Sequence, residues 1–149
     1  MEDAFKQLES IGGVESESDY PYKGVGGTCA YVQTKEKLVI KGYHFISEDE
    51  TQIASAIVSE GPMAIAVNAT FFQFYFGGIL NIPFCNAKTL NHGVTLAGFG
   101  TGKTLFGKKK DYWLIKNSWG GSWGEKGYIR IRRGTGYCGV KTYVITAEL

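Results

Sequence analysis

The amino-acid sequence predicts an α+β fold, in which an antiparallel barrel-like sheet with short helices is preceded by one further helix. Three observations lead to this fold class. Helical periodicity is found only before Gly61, short β-branched and aromatic segments follow it, and glycine-rich turns separate those segments. Early helices followed by a run of strands are typical of α+β proteins with a barrel or a strongly bent sheet.

Two helices are predicted in the first part of the chain. The first has its apolar residues on one face, which consists of Ala4, Phe5, Leu8 and Ile11. The pair Gly12-Gly13 ends this helix. The second is expected to begin at a capping box over Ser47–Glu50, because S-x-x-E spacing satisfies the free N–H groups of a first turn, and to end at Gly61-Pro62.

Strands are predicted from segments rich in β-branched and aromatic residues. One strand is expected over Lys37–Ile46 and another in MAIAVNA, which follows Pro62. The aromatic segment Phe71–Phe76 is expected to be a short turn or helix packed in the core. The later strands are VTLAGFG, YWLIKN, GYIRIRR and TYVITA, with a hairpin through residues 101–110 between the first two.

Size and charge limit the classes of protein that this chain can represent. Its 149 residues, with 44% hydrophobic and 20% charged residues, suit one globular domain. A net charge of +2 is too small to indicate nucleic acid or a membrane surface as a partner, and Lys108–Lys110 is interpreted as a solvated hairpin tip. No membrane-spanning stretch or signal peptide is visible. Because the first residues already have helical periodicity, we expect the natural N-terminus to lie elsewhere.

Four residues in the second half are candidates for a functional site, although none is persuasive by itself. His92 opens a predicted strand, where a histidine is more often structural than catalytic. Asn117 ends the strand YWLIK, where asparagine commonly forms a turn or caps the backbone. Trp119 and Trp123 would ordinarily be packing aromatics. Their order and sequence context carry the assignment that follows.

Several short segments share the order and spacing of one protein family. The most specific is NSWGGSWGEKGY, which begins at Asn117. Further segments of the same pattern are Asp19-Tyr20-Pro21-Tyr22, Gly77-Gly78-Ile79, Asn91-His92-Gly93-Val94, Gly98-Phe99-Gly100 and Cys138-Gly139-Val140. On these segments the chain resembles the papain-like cysteine proteases over nearly its whole length. Within that family, NATFFQFYFGGI and RRGTGYCGV are most similar to cathepsin F-type enzymes.

The resemblance implies a role for each of the four candidates. His92 would be the base that lowers the pKa of a cysteine thiol and later protonates the leaving amine. Asn117 would hold the imidazole in one tautomer and orientation, in the Cys-His-Asn arrangement known from this family. Trp119 would cover the hydrogen bond between them, and Trp123 would line the leaving-group side of the cleft.

The resemblance also implies a pocket for the second substrate side chain before the scissile bond. Its residues would be Ala66, Leu90, Gly93 and Tyr143. The first three would leave an apolar space, and Tyr143 would close its far end. We therefore expect a preference for medium-sized apolar side chains, such as leucine or valine, over arginine.

The cysteines of the chain do not include a residue in the family's nucleophile context. That nucleophile stands in a C-G-S-C-W-type segment, with the histidine and asparagine roughly 130–150 residues downstream. The resemblance instead implies that Cys85 pairs with Cys138 in a disulfide and that the partner of Cys29 lies in an N-terminal half. A reactive Cys29 thiol is the alternative for the odd cysteine.

These expectations define a domain organisation and a function. Residues 1–29 would be the last helix and connecting loop of the family's left domain, and residues 30–149 its right, β-barrel domain with the catalytic histidine and asparagine. The chain would then be the C-terminal portion of a cysteine endopeptidase, which hydrolyses peptide bonds through an acyl-enzyme thioester once an N-terminal half completes it. We expect it to be inactive alone and to need no cofactor.

Two other functions are conceivable for this sequence. A non-catalytic homologue could act as a binding or regulatory module, but a binder has no chemical need for the trio His92, Asn117 and Trp119. A zinc site formed by His44, His92 and free cysteines lacks the usual C-x-x-C or H-x-x-x-H spacing, so no metal is expected.

Partners and location follow from the same resemblance. The expected partners are peptide or protein substrates, the N-terminal half and cystatin-like inhibitors. Disulfides indicate an oxidising compartment, so a lysosomal or secreted location is expected. In a secretory protein, the sequon Asn68-Ala69-Thr70 would be a candidate for N-glycosylation.

Overall fold

The computed structural model describes residues 1–104 and 106–149, except for the side chains of residues 36 and 37. Residue 105 of the predicted hairpin therefore lies outside the described residues. The α-helices are α1 (Glu2–Ile11) and α2 (Glu50–Glu60). The strands are β1 (Val14–Glu15), β2 (Glu36–Leu38), β3 (Gly42–Phe45), β4 (Met63–Val67), β5 (Ile79–Leu80), β6 (His92–Lys103), β7 (Lys109–Lys116), β8 (Tyr128–Arg132) and β9 (Val144–Glu148). Short 3-10 helices span Gln33–Lys35, Phe72–Phe74 and Tyr137–Gly139.

The described residues form two compact units, which do not divide at the predicted boundary. One unit consists of Met1–His44 with Ala147–Leu149, and the other of Phe45–Thr146. The domain boundary expected between residues 29 and 30 stays a prediction. All the residues expected to form the catalytic site and the substrate pocket belong to the second unit.

The first unit contains the predicted first helix, which the structure confirms. Helix α1 ends where Gly12 takes a left-handed conformation with φ 100° and its N–H donates to the Leu8 carbonyl. The single strand expected over Lys37–Ile46 is wrong, because this segment pairs with two different neighbours. Strand β2 pairs with β1, whereas the N–H of Lys41, just before β3, donates to the Glu148 carbonyl.

The second unit begins with helix α2, whose start differs from the prediction. The N-cap is Asp49 rather than Ser47, and its carboxylate accepts the backbone N–H groups of Thr51 and Gln52. Asparagine, aspartate and serine are comparable N-caps, so local spacing alone cannot choose between adjacent candidates. The predicted end is confirmed at Gly61, which has φ 92°.

A twisted mixed sheet provides the core of the second unit, and the α+β class is confirmed. Its strands lie in the order β9-β4-β6-β7-β8-β5. The sheet departs from the expected antiparallel pairing at one edge, where β5 pairs parallel with β8. Alternation in β4 places its first, third and fifth side chains in the core. The largest fully buried side chains of the core cluster include Trp113, Phe72, Ile53, Met63, Ile65 and Leu96.

The aromatic segment Phe71–Phe76 is only partly buried, which corrects the expectation that it packs wholly in the core. Phe72 and Tyr75 are buried, whereas Phe74 and Phe76 are 66% and 89% exposed. A 3-10 helix has three residues per turn, so residues three apart share one side. The spacing of Phe72 and Tyr75 places both rings towards the core.

No helix in residues 1–104 or 106–149 is long and apolar enough to cross a membrane.

Candidate active site

The sheet brings His92 and Asn117 together from distant positions in the sequence. His92 is the first residue of β6, and Asn117 directly follows the last residue of β7. These strands are antiparallel, with Thr95 opposite Lys116, so the start of one lies beside the end of the other. The His92 Nε2 atom lies 2.8 Å from Asn117 Oδ1. The structure therefore forms the histidine–asparagine pair that the sequence predicts.

Hydrogen bonds at Asn117 determine the direction of this interaction. Asn117 Oδ1 also accepts the backbone N–H of Ser118 at 2.8 Å, which identifies this atom as the amide oxygen. The His92 Nε2–H must then donate to the same oxygen. In a neutral ring, this tautomer leaves Nδ1 with a free lone pair, which is the form required of a general base.

Burial and aromatic contacts shield this hydrogen bond from water. Asn117 is only 8% exposed, and its backbone N–H donates to the Gly127 carbonyl at 2.9 Å. The Trp119 ring lies 5.2 Å from the His92 ring and 5.2 Å, edge-on, from the Trp123 ring. Trp119 itself is 41% exposed, so one side of the indole covers the imidazole while the rest remains accessible.

Two donors of the site are buried without a hydrogen-bond partner among the described residues, namely Asn117 Nδ2 and Trp123 Nε1. Unpaired buried donors are rare and unfavourable. Turning the Asn117 amide over would not relieve the first, because it would aim NH₂ hydrogens at the N–H of Ser118 and at the ring of His92. The orientation of the asparagine is thus set by its oxygen.

An open cleft of about 440 Å³ adjoins the imidazole. Its walls are formed by Ala69, Thr70, Gln73, Asn91, His92 and Trp119. Sequence reasoning missed Thr70, Gln73 and Asn91 as cleft residues. The position of Asn91 directly before His92 could have indicated that it lines the cleft. In the structure its Oδ1 accepts the Ala69 N–H at 2.9 Å. Gln73 has no comparable signal, because it stands in the aromatic segment 71–76, which is predicted to be core, and Thr70 has a signal only as part of the sequon.

Two of the predicted pocket residues lie on adjacent strands, and the other two lie just outside strands. Ala66 on β4 is opposite Gly93 on β6, and the Ala66 N–H donates to the Tyr143 carbonyl at 3.1 Å. Leu90 comes two residues before His92, and its side chain occupies the space in front of Gly139. The structure therefore brings Ala66, Gly93 and Tyr143 together, and it places Leu90 against the C-terminal loop.

Two of the three cysteines are paired in the structure. Cys85 and Cys138 form a disulfide. Cys29 is exposed, with the Tyr20 hydroxyl 3.9 Å from its sulfur.

Asn68 is only 4% exposed, and its Nδ2 donates to the Asn86 carbonyl at 3.1 Å. Because a glycan would be attached to this same Nδ2, the folded structure argues against glycosylation of Asn68.

Side chains of the types that bind metal ions are not clustered in the described residues. Among them, no group of three or more histidine, cysteine, aspartate or glutamate side chains could hold a metal ion. His44 instead lies in the first unit, where its Nδ1 is 3.0 Å from a carboxylate oxygen of Glu148.

Comparisons with known proteins agree on one family. The sequence model of the papain family cysteine proteases matches residues 1–148. Cysteine proteinase 1 of Dictyostelium discoideum is 43% identical over 145 residues, which are 97% of this chain and 42% of that protein. Cathepsin F of Drosophila melanogaster is 37% identical over a 153-residue alignment that covers 100% of this chain and 25% of that protein. The structure of digestive procathepsin L2 from Tenebrio molitor larval midgut matches with a TM-score of 0.91 and 34% identity, over 100% of this chain and 47% of that one. The chain thus spans less than half the length of these relatives.

Proposed function

Because the chain belongs to the papain family of cysteine proteases, we propose that it supplies the base and the orienting residue of a cysteine endopeptidase. The observation that carries this proposal is the hydrogen bond of 2.8 Å between His92 and Asn117 beneath Trp119. The nucleophile would come from an N-terminal half, since Cys85 and Cys138 are joined in a disulfide and no cysteine of the chain stands in the family's nucleophile sequence context. On this proposal the chain is inactive alone.

The geometry suits both proton transfers of such a reaction. His92 Nδ1 takes the thiol proton, and the thiolate attacks the scissile carbonyl carbon. The resulting imidazolium then gives its proton to the leaving amine as the C–N bond breaks, which leaves a thioester. Water, deprotonated by the same Nδ1, hydrolyses the thioester and restores the thiol. Asn117 accepts from Nε2–H throughout, so the ring keeps one orientation.

A preference for medium-sized apolar substrate side chains is part of the proposal. It is supported by the pairing of Ala66 on β4 with Gly93 on β6, because a methyl group and a hydrogen atom are the smallest groups that two paired residues can present. Tyr143 stands beside them, edge-on to Phe45 with ring centroids 5.2 Å apart. A substrate-library profile of the complete enzyme should favour leucine or valine, and a profile dominated by arginine would contradict the assignment.

Partners and location are proposed on the same basis. We assign peptides and proteins as substrates, cystatin-like proteins as inhibitors, and a lysosomal or secreted location in which the disulfide between Cys85 and Cys138 is stable. The exposed Cys29 would pair with a cysteine of the N-terminal half. Intact mass of the natural protein before and after reduction tests this pairing, because reduction should release a second polypeptide or show one longer chain.

The decisive experiment measures peptide hydrolysis by the natural protein that contains this chain. His92→Ala should lower kcat/KM by about 10²–10⁴-fold, the range typical of a lost general base. Asn117→Ala should have a smaller effect, because the imidazole is still present but less well oriented. The matched control is His44→Ala, which replaces the other histidine of the chain and should leave activity unchanged.

Two results would contradict the proposal. Hydrolysis by the 149-residue chain alone would show that it does not need a nucleophile from elsewhere. Full activity of His92→Ala would refute the base assignment. Absence of hydrolysis in every natural form would instead favour the binding or regulatory module.

A further inference from the structure

The loop that carries Trp119 and Trp123 is held against the sheet by a carboxylate that the proposed mechanism does not use. Residues 118–127 connect Asn117 to strand β8. Backbone hydrogen bonds from Trp123 to Gly120 and from Gly127 to Trp123 join residues within this loop. Such bonds fix the shape of the loop but not its position relative to the rest of the unit. The loop is connected to its surroundings by ring contacts of Trp123 with Phe72 and Tyr75. The side chain of Glu125 adds polar connections to Gly78 and to Arg130 on β8.

Glu125 binds one guanidinium group and one backbone N–H. Its Oε2 accepts from Arg130 Nε at 2.7 Å, and its Oε1 accepts from Arg130 Nη2 at 2.5 Å. The same Oε1 accepts the N–H of Gly78 at 3.1 Å. The pair is about 70% buried, and bidentate charge-assisted hydrogen bonds of this kind are among the strongest in proteins. The Arg130 hydrogen bonds lower the pKa of Glu125, and those of Glu125 raise the pKa of Arg130.

Tyr75 completes this cluster and connects it to the tryptophans. Its hydroxyl donates to the Gly78 carbonyl at 2.6 Å and accepts the Arg130 backbone N–H at 3.2 Å. Burial raises the pKa of this hydroxyl to about 12, so it remains protonated and keeps donating. The Tyr75 ring lies 5.8 Å from the Trp123 ring. The loop passes so close that a Cβ on Gly124 would lie 3.1 Å from the Tyr75 ring.

We propose that Glu125 is a positioning residue for the catalytic histidine. Its carboxylate fixes the loop, the loop holds Trp123 against Tyr75, and Trp123 supports Trp119 over the His92 ring. The loop also supplies the Gly127 carbonyl that accepts the Asn117 N–H. The effect of Glu125 on catalysis rests on the proposed function, whereas its effect on the position of the His92 ring does not.

The test compares Glu125→Ala and Glu125→Gln with Asp111→Ala in the 149-residue chain. Asp111 is the matched control, because it pairs with Arg133 at 3.6 Å at the opposite end of β7. Two-bond ¹H–¹⁵N NMR spectra report the tautomer of His92. The hydrogen-exchange rate of the Asn117 backbone N–H reports whether its hydrogen bond to Gly127 persists. We expect Glu125→Ala to mix the two tautomers and to speed exchange of the Asn117 amide by about tenfold or more, as for loss of a charged hydrogen bond. Glu125→Gln, which keeps one acceptor and the size of the side chain, should give an intermediate result.

The outcomes separate positioning from general stability and from the proposed function. A normal His92 tautomer in Glu125→Ala would overturn the inference, as would equal tautomer mixing in Asp111→Ala at the same loss of thermal stability. In the natural protein, Glu125→Ala should lower kcat by about tenfold while KM changes less than twofold, because substrate contacts remain. If the NMR signature changes but no natural form hydrolyses peptides, the positioning role stands and the proposed function fails.

Discussion

Strands β6 and β7 pair from Thr95–Lys116 at one end to Lys103–Lys109 at the other, yet the two ends of this ladder are built very differently. At one end, the start of β6 and the residue after β7 provide His92 and Asn117, which are joined at 2.8 Å and partly covered by Trp119. At the other end, Lys103 and Lys109 face each other directly across the ladder. Like charges in that position are unfavourable, and they are tolerated there because solvent screens them.

The difference shows what a sheet contributes to a site and what it does not. Register alone brings the ends of two strands together at both places. At the hairpin end a short segment approaches through a single bridge between Ile79 and Thr104. At the catalytic end several segments converge, namely the loop 118–127, the aromatic segment 71–76 and the loop closed by the Cys85–Cys138 disulfide. These segments exclude water and fix the orientation of side chains. Substitutions at the two ends should therefore differ greatly in effect.

The largest effect is expected from removing the disulfide. Cys85→Ala with Cys138→Ala should lower the free energy of unfolding by about 2–5 kcal/mol, as is typical for a native disulfide. The backbone carbonyl of Cys138 accepts the Asn68 N–H at 2.8 Å, so a loop loosened by loss of the disulfide should also weaken this contact near the catalytic end. Urea unfolding with and without reductant measures it. Cys29→Ala is the control, and a comparable loss in that variant would contradict the prediction.

The next effect concerns the buried asparagine of the sequon. Asn68 Oδ1 accepts from the backbone N–H and the hydroxyl of Thr70, while Nδ2 donates to the Asn86 carbonyl. Asn68→Ala should therefore cost about 1–3 kcal/mol, because buried partners lose their hydrogen bonds. The exposed Asn81→Ala should be nearly neutral by the same urea measurement. A natural protein whose mass shows a glycan on Asn68 would contradict this placement.

The sequence predicted the parts of the molecule that depend on local pattern. Helix α1, the end of α2 and the late strands follow from apolar period and glycine, and the resemblance picked out His92 and Asn117. What it missed depends on contacts between distant segments. The parallel pairing of β5 with β8 and the Glu125–Gly78 hydrogen bond join residues about 50 positions apart, with no local signal for either. Even so, Glu125 stands inside NSWGGSWGEKGY, the most distinctive segment of the chain.

Acid should weaken both the ion pair of Glu125 with Arg130 and that of Asp111 with Arg133. The pH dependence of stability can therefore be compared between the two pairs. The Arg130 hydrogen bonds lower the pKa of Glu125, and the Thr101 hydroxyl, followed by Arg133, lowers that of Asp111. A lowered folded-state pKa gives stability that is present above the unfolded pKa and is lost as pH falls through the folded value. Stability should thus fall below the ordinary values of 4.5 and 3.8. The free energy of unfolding should fall less steeply in acid in Glu125→Gln than in Asp111→Asn. Asp111 is the more exposed carboxylate, so its replacement removes less of the pH dependence.

The smallest effect is expected at the hairpin end, and its sign is opposite to the others. Lys109→Glu replaces a like-charge pair with an attractive one opposite Lys103, so it should stabilise the chain by about 0.2–1 kcal/mol. Lys109 also helps to lower the pKa of nearby Asp111, so the single variant mixes two effects. A double-mutant cycle with Lys103→Glu isolates the cross-strand term, since the doubly substituted chain restores repulsion with the opposite sign. The coupling should shrink as salt is added, whereas the His92 tautomer should be the same in all four chains. A tautomer change in this cycle would mean that the two ends are coupled along the strands, and the contrast between a converged catalytic end and a solvated hairpin end would be lost.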